Sequence, residues 1–226
     1  MACSDFLRKN IKQHIAKNPV SKKMDSDIKI AVNKLVGYLR NKYPELIFEH
    51  KKRFLLTEAV SSLSQQYPQY KKDFSLVKEK DFIRPDGGFL YATNKNGEKK
   101  IILIAEMKRQ GTNNKRVKEG LPIQSKGNAV ERLGKNLGAI RALFKKEKII
   151  PFACFGNGYD FREGSSIVDR VVTMNDFFPL NNFFIEKTHI PFEPVSMFFR
   201  YKNWSVKELT QIMVVIAEKA IKHYFG

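Results

Sequence analysis

The hydrophobic and polar positions of this chain switch repeatedly between a helical and a strand period. Across residues 27–42 the apolar positions Ile28, Ile30, Val32, Leu35, Val36 and Leu39 recur close to every third or fourth residue, which predicts an amphipathic helix with Asp25 or Ser26 as its cap. Residues 46–48 read as a short strand. Residues 55–66 read as a second helix that must stop ahead of Pro68, because the residue before a proline is pushed out of helical backbone. The stretch 88–93 (GFLYAT) is apolar and aromatic, Asn96-Gly97 follows, and 99–107 (KKIILIAEM) is rich in β-branched residues. That order predicts a hairpin whose second strand is central and buried. Residues 111–126 carry Gly, Asn, Pro and several basic residues and read as a loop or arm. A helix is predicted over 128–146, with Val130, Leu133, Leu137, Ile140 and Phe144 on one stripe. Strands are predicted over 149–155 and 166–172. A last helix runs from a Ser205 cap to about Tyr224, with Glu208 in the capping-box position. Helices alternating with strands imply an α/β domain: a central mixed β-sheet flanked by helices.

Length and composition narrow the partners. A chain of 226 residues with 42% hydrophobic residues is enough for one domain with a substantial core, taken here as 1–226. No apolar run approaches the ~20 residues a bilayer span needs. The first residues, MACSDFLRKNIKQ, have no apolar segment after their basic ones and do not read as a secretory signal. Cys3 and Cys154 are too far apart in sequence to suggest a disulfide framework or a zinc site, and His14, His50, His189 and His223 are as scattered, so a reducing cytoplasm fits. The charge stands out: 41 Lys and Arg against 23 Asp and Glu give +18. A field of that size favours a polyanion, with nucleic acid ahead of an anionic membrane surface, for which no basic amphipathic helix with an aromatic face is visible.

Two clusters carry candidate chemistry. Pro85-Asp86 precedes the first hairpin strand, and Glu106-Met107-Lys108 ends the second. Alternation along a strand puts Glu106 and Lys108 on one face and Met107 on the other, and the hairpin returns Asp86 beside Glu106. Two carboxylates offer the hard oxygen ligands that Mg²⁺ takes, and a lysine adds a compact positive charge for a phosphate, a set suited to phosphodiester hydrolysis. Pro-Asp alone is often a simple turn, and Glu-x-Lys at a strand end is often a solvated ion pair. The hairpin between them and the buried run into Glu106 weigh for the catalytic reading. The second cluster, Gly127-Asn128-Ala129-Val130-Glu131-Arg132, opens a helix just after the basic arm. A helix N-terminus suits phosphates, Asn can pair with the N6/N7 edge of adenine, and Arg with major-groove acceptors. Asn128-x-x-Glu131 also has the form of a capping box, and a capped helix end is a rigid mount for a base reader.

The run IRPDGGFLYATNKNGEKKIILIAEMKRQG followed by GNAVERLGKN closely resembles the EcoRI-type restriction endonucleases, within the PD-(D/E)XK nucleases. The PDGG, AExKxQG and GNAxER elements occur in family order. The likeness extends upstream through KLVGYLRNKYPELIFEHKKRF and TEA, and more weakly to the last helix around Asn203-Trp204-Ser205. The resemblance implies a restriction-endonuclease-like core and a Mg²⁺-dependent enzyme. It makes Asp86, Glu106 and Lys108 the catalytic trio and the carbonyl of Met107 a further metal ligand. It assigns Gly127, Asn128, Ala129, Glu131 and Arg132 to reading a central AATT and puts Gln110 near the bases. It further implies a homodimer on a palindrome, cutting that leaves 5′ overhangs, and an adenine methyltransferase protecting the host DNA. Lys115, Arg116 and Lys118 in the arm are expected on phosphates, which position without specifying.

This chain also departs from the family pattern. The arm is shorter, Gln124, Ser125 and Lys126 stand where small apolar residues are usual, and residues 174–184 (MNDFFPLNNFF) lack paired arginines. The reading of the outer base pair therefore does not carry over. Two rival readings remain: a structure-specific repair or recombination nuclease of the same superfamily, and a non-catalytic nucleic-acid-binding protein.

Overall fold

The computed structural model describes residues 19–74, 78–109, 117–121, 128–161 and 165–226. Its centre is a five-stranded mixed sheet built from β1 (Ile47–Lys51), β4 (Gly88–Thr93), β5 (Lys99–Arg109), β6 (Phe152–Asn157) and β7 (Ser196–Arg200), in the order β1-β4-β5-β6-β7. The β1–β4 and β4–β5 pairs are antiparallel, and the β5–β6 and β6–β7 pairs are parallel. A separate two-residue ribbon pairs β2 (Phe54–Leu55) with β3 (Phe82–Ile83). The α/β class and the mixed sheet expected from the sequence are therefore found.

Helices cover both faces. On one, α1 (Pro19–Lys42) and α5 (Val206–Phe225) pack together with Leu103, Ala105, Met107, Phe155 and Phe198 of the sheet. On the other, α2 (Leu56–Gln66), α3 (Asn128–Leu143) and α4 (Ser166–Met174) enclose Phe89, Ile104, Phe152, Cys154 and Phe199. The α1 stripe is Ile28, Ala31, Val32, Leu35 and Leu39, all buried, while Ile30 is exposed. The helix runs upstream through the expected caps Asp25 and Ser26 to Pro19, a residue tolerated in a first turn because its missing N–H would have no helical acceptor there. At the other end of the chain the predicted capping box is present: Ser205 Oγ accepts from the Glu208 amide at 3.2 Å, and Glu208 Oε2 accepts from the Ser205 amide at 2.9 Å.

One expected strand is a helix. Residues 166–172 lie in α4, although the segment is rich in β-branched residues. Ser165 Oγ accepts from the Val168 amide at 3.2 Å, Asp169 stands in the first turn, and Ile167 and Val171, four apart, are both buried. The cap and the helical spacing outweigh local strand preference.

A bulge sets which face the functional side chains use. Leu90 pairs with Leu103 but Tyr91 pairs with Ile101, so Ile102 is extra. Ile102 and Leu103 both enter the α1–α5 core, after which alternation resumes with Ile104 and Glu106 toward α3. Among the described residues no helix is long and apolar enough to cross a membrane.

Candidate functional site

The hairpin does what its sequence requires. Asn94 Oδ1 accepts from the amides of Asn96 and Glu98 at 3.0 and 2.9 Å, and Gly97 takes a φ of +78° to close the turn. Gly88 then falls opposite Ala105, and the Gly87 amide donates to the Ala105 carbonyl at 2.9 Å. The turn carrying Asp86 is thereby fixed next to Glu106. A side chain at Gly87 would meet Ala105 Cβ at 2.7 Å, and one at Gly88, where φ is +75°, would meet the Lys51 carbonyl at 2.5 Å. The two glycines let the turn lie this close between β1 and β5.

The structure brings Asp86, Glu106 and Lys108 together. Lys108 Nζ contacts Glu106 Oε1 and stands 3.6 Å from Asp86 Oδ2. Glu106 is 1% exposed, flanked on its face by Ile104 and opposite Cys154, while a third of the Asp86 side chain remains open to solvent. Burial pushes the Glu106 carboxyl up to about 7, the Lys108 charge pulls it back and the Asp86 charge pushes it further up. Burial alone would lower Lys108, but the charges on Glu106 and Asp86 outweigh it and hold the ammonium above its ordinary value. Burial also keeps the Cys154 thiol well above the usual range.

The donor set fits a hard divalent cation. Buried Glu106 Oε2 has no hydrogen-bond partner, the kind of orphaned acceptor that a cation would satisfy. Among the described residues there is no group of three or more His, Cys, Asp and Glu side chains placed to hold a metal ion, so protein side chains would supply only part of a cation's ligands. Two carboxylates suit a cation that keeps part of its water shell.

Sequence reasoning missed the wall beside this site. A cleft of about 250 Å³ opens at Asp86 and is lined by Lys29, His50, Lys52 and Arg84 as well as the 85–88 turn. The basic run Lys51-Lys52-Arg53 was visible, but its approach to Asp86 depends on β1 pairing with β4.

The recognition candidates are placed less completely. Gln110, Lys115, Arg116, Gln124, Ser125, Lys126 and Gly127 lie outside the described residues. Asn128 and Ala129 begin α3, their side chains also outside the description, and Lys118 is exposed. Glu131 and Arg132 are exposed on the first turns of α3, while Val130 and Leu133 turn inward to the core that holds Ile104 and Cys154. The start of α3 thus lies on the sheet face toward which Glu106 points.

Comparison with known proteins gives the chain its class. A family model described as Restriction endonuclease EcoRI matches residues 12–226, nearly the whole chain. The chain belongs to that family of type II restriction endonucleases. It is similar to the type II restriction enzyme EcoRI of Escherichia coli, at 31% identity over 139 residues, covering 58% of this chain and 50% of that enzyme. It is also similar to the type II restriction enzyme RsrI of Cereibacter sphaeroides, at 23% identity over 261 aligned positions, covering 96% of this chain and 92% of that enzyme.

Proposed function

We propose that the protein is a Mg²⁺-dependent endonuclease that hydrolyses phosphodiesters of double-stranded DNA at a palindrome containing AATT and leaves 5′ overhangs. The observation that carries this reading is the buried Glu106 carboxylate, beside Asp86 and in contact with Lys108. Asp86, Glu106 and the Met107 carbonyl would hold Mg²⁺, which would supply Lewis-acid polarisation of the phosphate and a more acidic water. Lys108 keeps its proton at Nζ and stabilises the charge that builds on the phosphate oxygens. Burial among Ile104, Cys154 and α3 excludes bulk water from the Glu106 side of the site and strengthens each of these charges.

Glu131 and Arg132, exposed on α3, serve as readers of the AATT core together with Gly127, Asn128 and Ala129, and Gln110 acts close to the bases. Lys115, Arg116 and Lys118 contact phosphates, with Gln124, Ser125 and Lys126 near the outer base pair. A palindromic site calls for a homodimer with one active site per strand. The enzyme acts in the cytoplasm as the restriction half of a system whose adenine methyltransferase protects the host DNA. The chain forms a single domain, with residues 111–126 as its DNA-contacting arm.

The test is a Mg²⁺ digest of a long, fully sequenced, unmethylated DNA with every cut end sequenced. Discrete fragments whose ends share an AATT core are expected, and the bases flanking it distinguish GAATTC, another flanked AATT, and AATT alone. Cutting confined to branched DNA, or spread over unrelated duplexes, makes the protein a structure-specific nuclease instead. Binding with no cutting in Mg²⁺ or Mn²⁺ makes it a binding protein.

A further inference from the structure

The residue after Asp86 is held at both of its backbone polar groups. The Gly87 amide donates to the Ala105 carbonyl at 2.9 Å, and the Gly87 carbonyl lies 2.8 Å from His50 Nε2. The first bond joins two backbones and would form with almost any side chains. The second depends on one imidazole, carried on β1 two strands away from Glu106. Because a carbonyl can only accept, this contact requires a proton on Nε2, which donates to it.

The fit around that imidazole is tight. A methyl added at Gly88 would stand 2.6 Å from His50 Nε2, and one at Gly87 would stand 3.0 Å from the Ala105 carbonyl. The turn is therefore gripped between His50 on the β1 side and Ala105 on the β5 side, and Ala105 is the immediate neighbour of Glu106. The two carboxylates differ in how they are fixed. Glu106 sits inside a long central strand, whereas Asp86 sits on a turn ahead of β4 and outside the strand ladder. Their separation depends chiefly on where that turn rests.

We propose that His50 is a positioning residue: by holding the Gly87 carbonyl it sets the distance between the Asp86 and Glu106 carboxylates, and so the affinity of the pair for a divalent cation. This rests on the reading of Asp86 and Glu106 as cation ligands. Ligand distances in metal sites are held to within ~0.2 Å, so a small drift of the turn is enough to weaken the pair. Outer partners that orient metal ligands are worth about 10- to 100-fold in affinity when removed.

The experiment is Mn²⁺ binding to the DNA-free protein, followed by electron paramagnetic resonance of the unbound ion. It is run beside a Mg²⁺ titration of cleavage, on the full chain and on His50→Ala, His50→Gln and Glu106→Ala. His50→Ala is expected to weaken Mn²⁺ binding and raise the Mg²⁺ needed for half-maximal cleavage, each by about 10- to 100-fold. The rate at saturating Mg²⁺ and the melting temperature are expected to stay near those of the unaltered protein. His50→Gln, whose amide can donate to the same carbonyl, is expected to recover most of the loss. Unaltered Mn²⁺ affinity in His50→Ala, or His50→Gln no better than His50→Ala, overturns the proposal. Glu106→Ala separates the two levels of the argument. If it loses Mn²⁺ while His50→Ala does not, the carboxylate pair stands and the role of His50 falls. If it binds Mn²⁺ normally, both fall.

Discussion

The ammonium of Lys108 stands 3.6 Å from Asp86 Oδ2 while touching Glu106, so one cation spans both carboxylates at the end of β5. In the metal-free protein this lysine neutralises part of the charge on the pair. On the proposed reading, the same group meets charge developing on a phosphate when DNA is present. Lys108→Ala is therefore expected to lower the cleavage rate by at least ~10²- to 10³-fold, the scale for removing one charge-stabilising donor from an active site. Affinity for the cognate duplex should hardly change. Single-turnover cleavage and equilibrium binding, measured on the same variant, check this. Normal cleavage would remove Lys108 from the chemistry.

The raised pKa of Glu106 makes the metal-free protein pH-sensitive. Its carboxyl rises from an ordinary 4.5 to about 7 because burial disfavours the charged form. The folded state then holds a proton that the unfolded chain releases. The resulting stability is fully present below pH 4.5 and is lost as pH rises through 7. At roughly 1.4 kcal/mol per pKa unit, the loss is at most about 3 kcal/mol. Lys108 stays charged throughout this window, its own pKa being raised above 10.5, so it adds only a constant offset. In chelator, Glu106→Gln should gain on the unaltered protein between pH 5 and pH 8 in urea unfolding. Added Mg²⁺ at pH 8 should stabilise the unaltered protein and not the variant. A gap between the two proteins that does not change with pH would contradict the buried, proton-binding carboxyl.

How much of this was legible in the sequence depended on distance along the chain. Asp86, Glu106 and Lys108 are joined by a single hairpin, so Asn96-Gly97 and strand alternation were enough to bring them together. The bulge at Ile102 was not legible, because an extra residue within an all-apolar run leaves no mark on the pattern. The β7 strand was missed because its partner β6 lies about 40 positions earlier and pairs with it in parallel, without a turn to announce it. The α4 segment misled because Val168, Val171, Val172 and Thr173 favour strands, while the Ser165 cap and the Ile167–Val171 spacing decide the outcome. His50 lies in the upstream run that resembles the family but carried no sign of a chemical role. Its contact with Gly87 follows from the β1–β4 pairing.

Gly156 lies opposite Lys108 in the β5–β6 pair, and a methyl there would stand 2.1 Å from the Phe199 ring. From the other side, Trp204 Nε1 donates to the Gly156 carbonyl at 3.0 Å, so the strand cannot easily back away. Gly156→Ala is expected to cost about 1–3 kcal/mol of stability through overpacking. Adding Phe199→Leu to the same chain should recover part of that cost, because the two changes share one space. Urea midpoints of the single and double variants measure the coupling, and simple additivity would mean that the ring is free to move aside.

The proposed base-reading role of Arg132 can be tested separately from the chemistry. It is exposed on α3, whereas its neighbour Leu133 is fully buried and Val130 nearly so, which fixes the helix face it occupies. A guanidinium on a rigid helix can bond a base edge in two places at once, and each such pair discriminates against the wrong base by about 1–3 kcal/mol. Arg132→Ala should therefore lower the ratio of cognate to single-mismatch binding by that amount, while metal binding by Asp86 and Glu106 stays unaltered. A phosphate-contacting arginine would behave differently. Its loss would weaken cognate and mismatched duplexes alike and reduce the steepness of the salt dependence by about one counterion. Binding to both duplexes over a range of salt distinguishes the two roles. An unchanged ratio with a shallower salt slope would move Arg132 from the bases to the backbone.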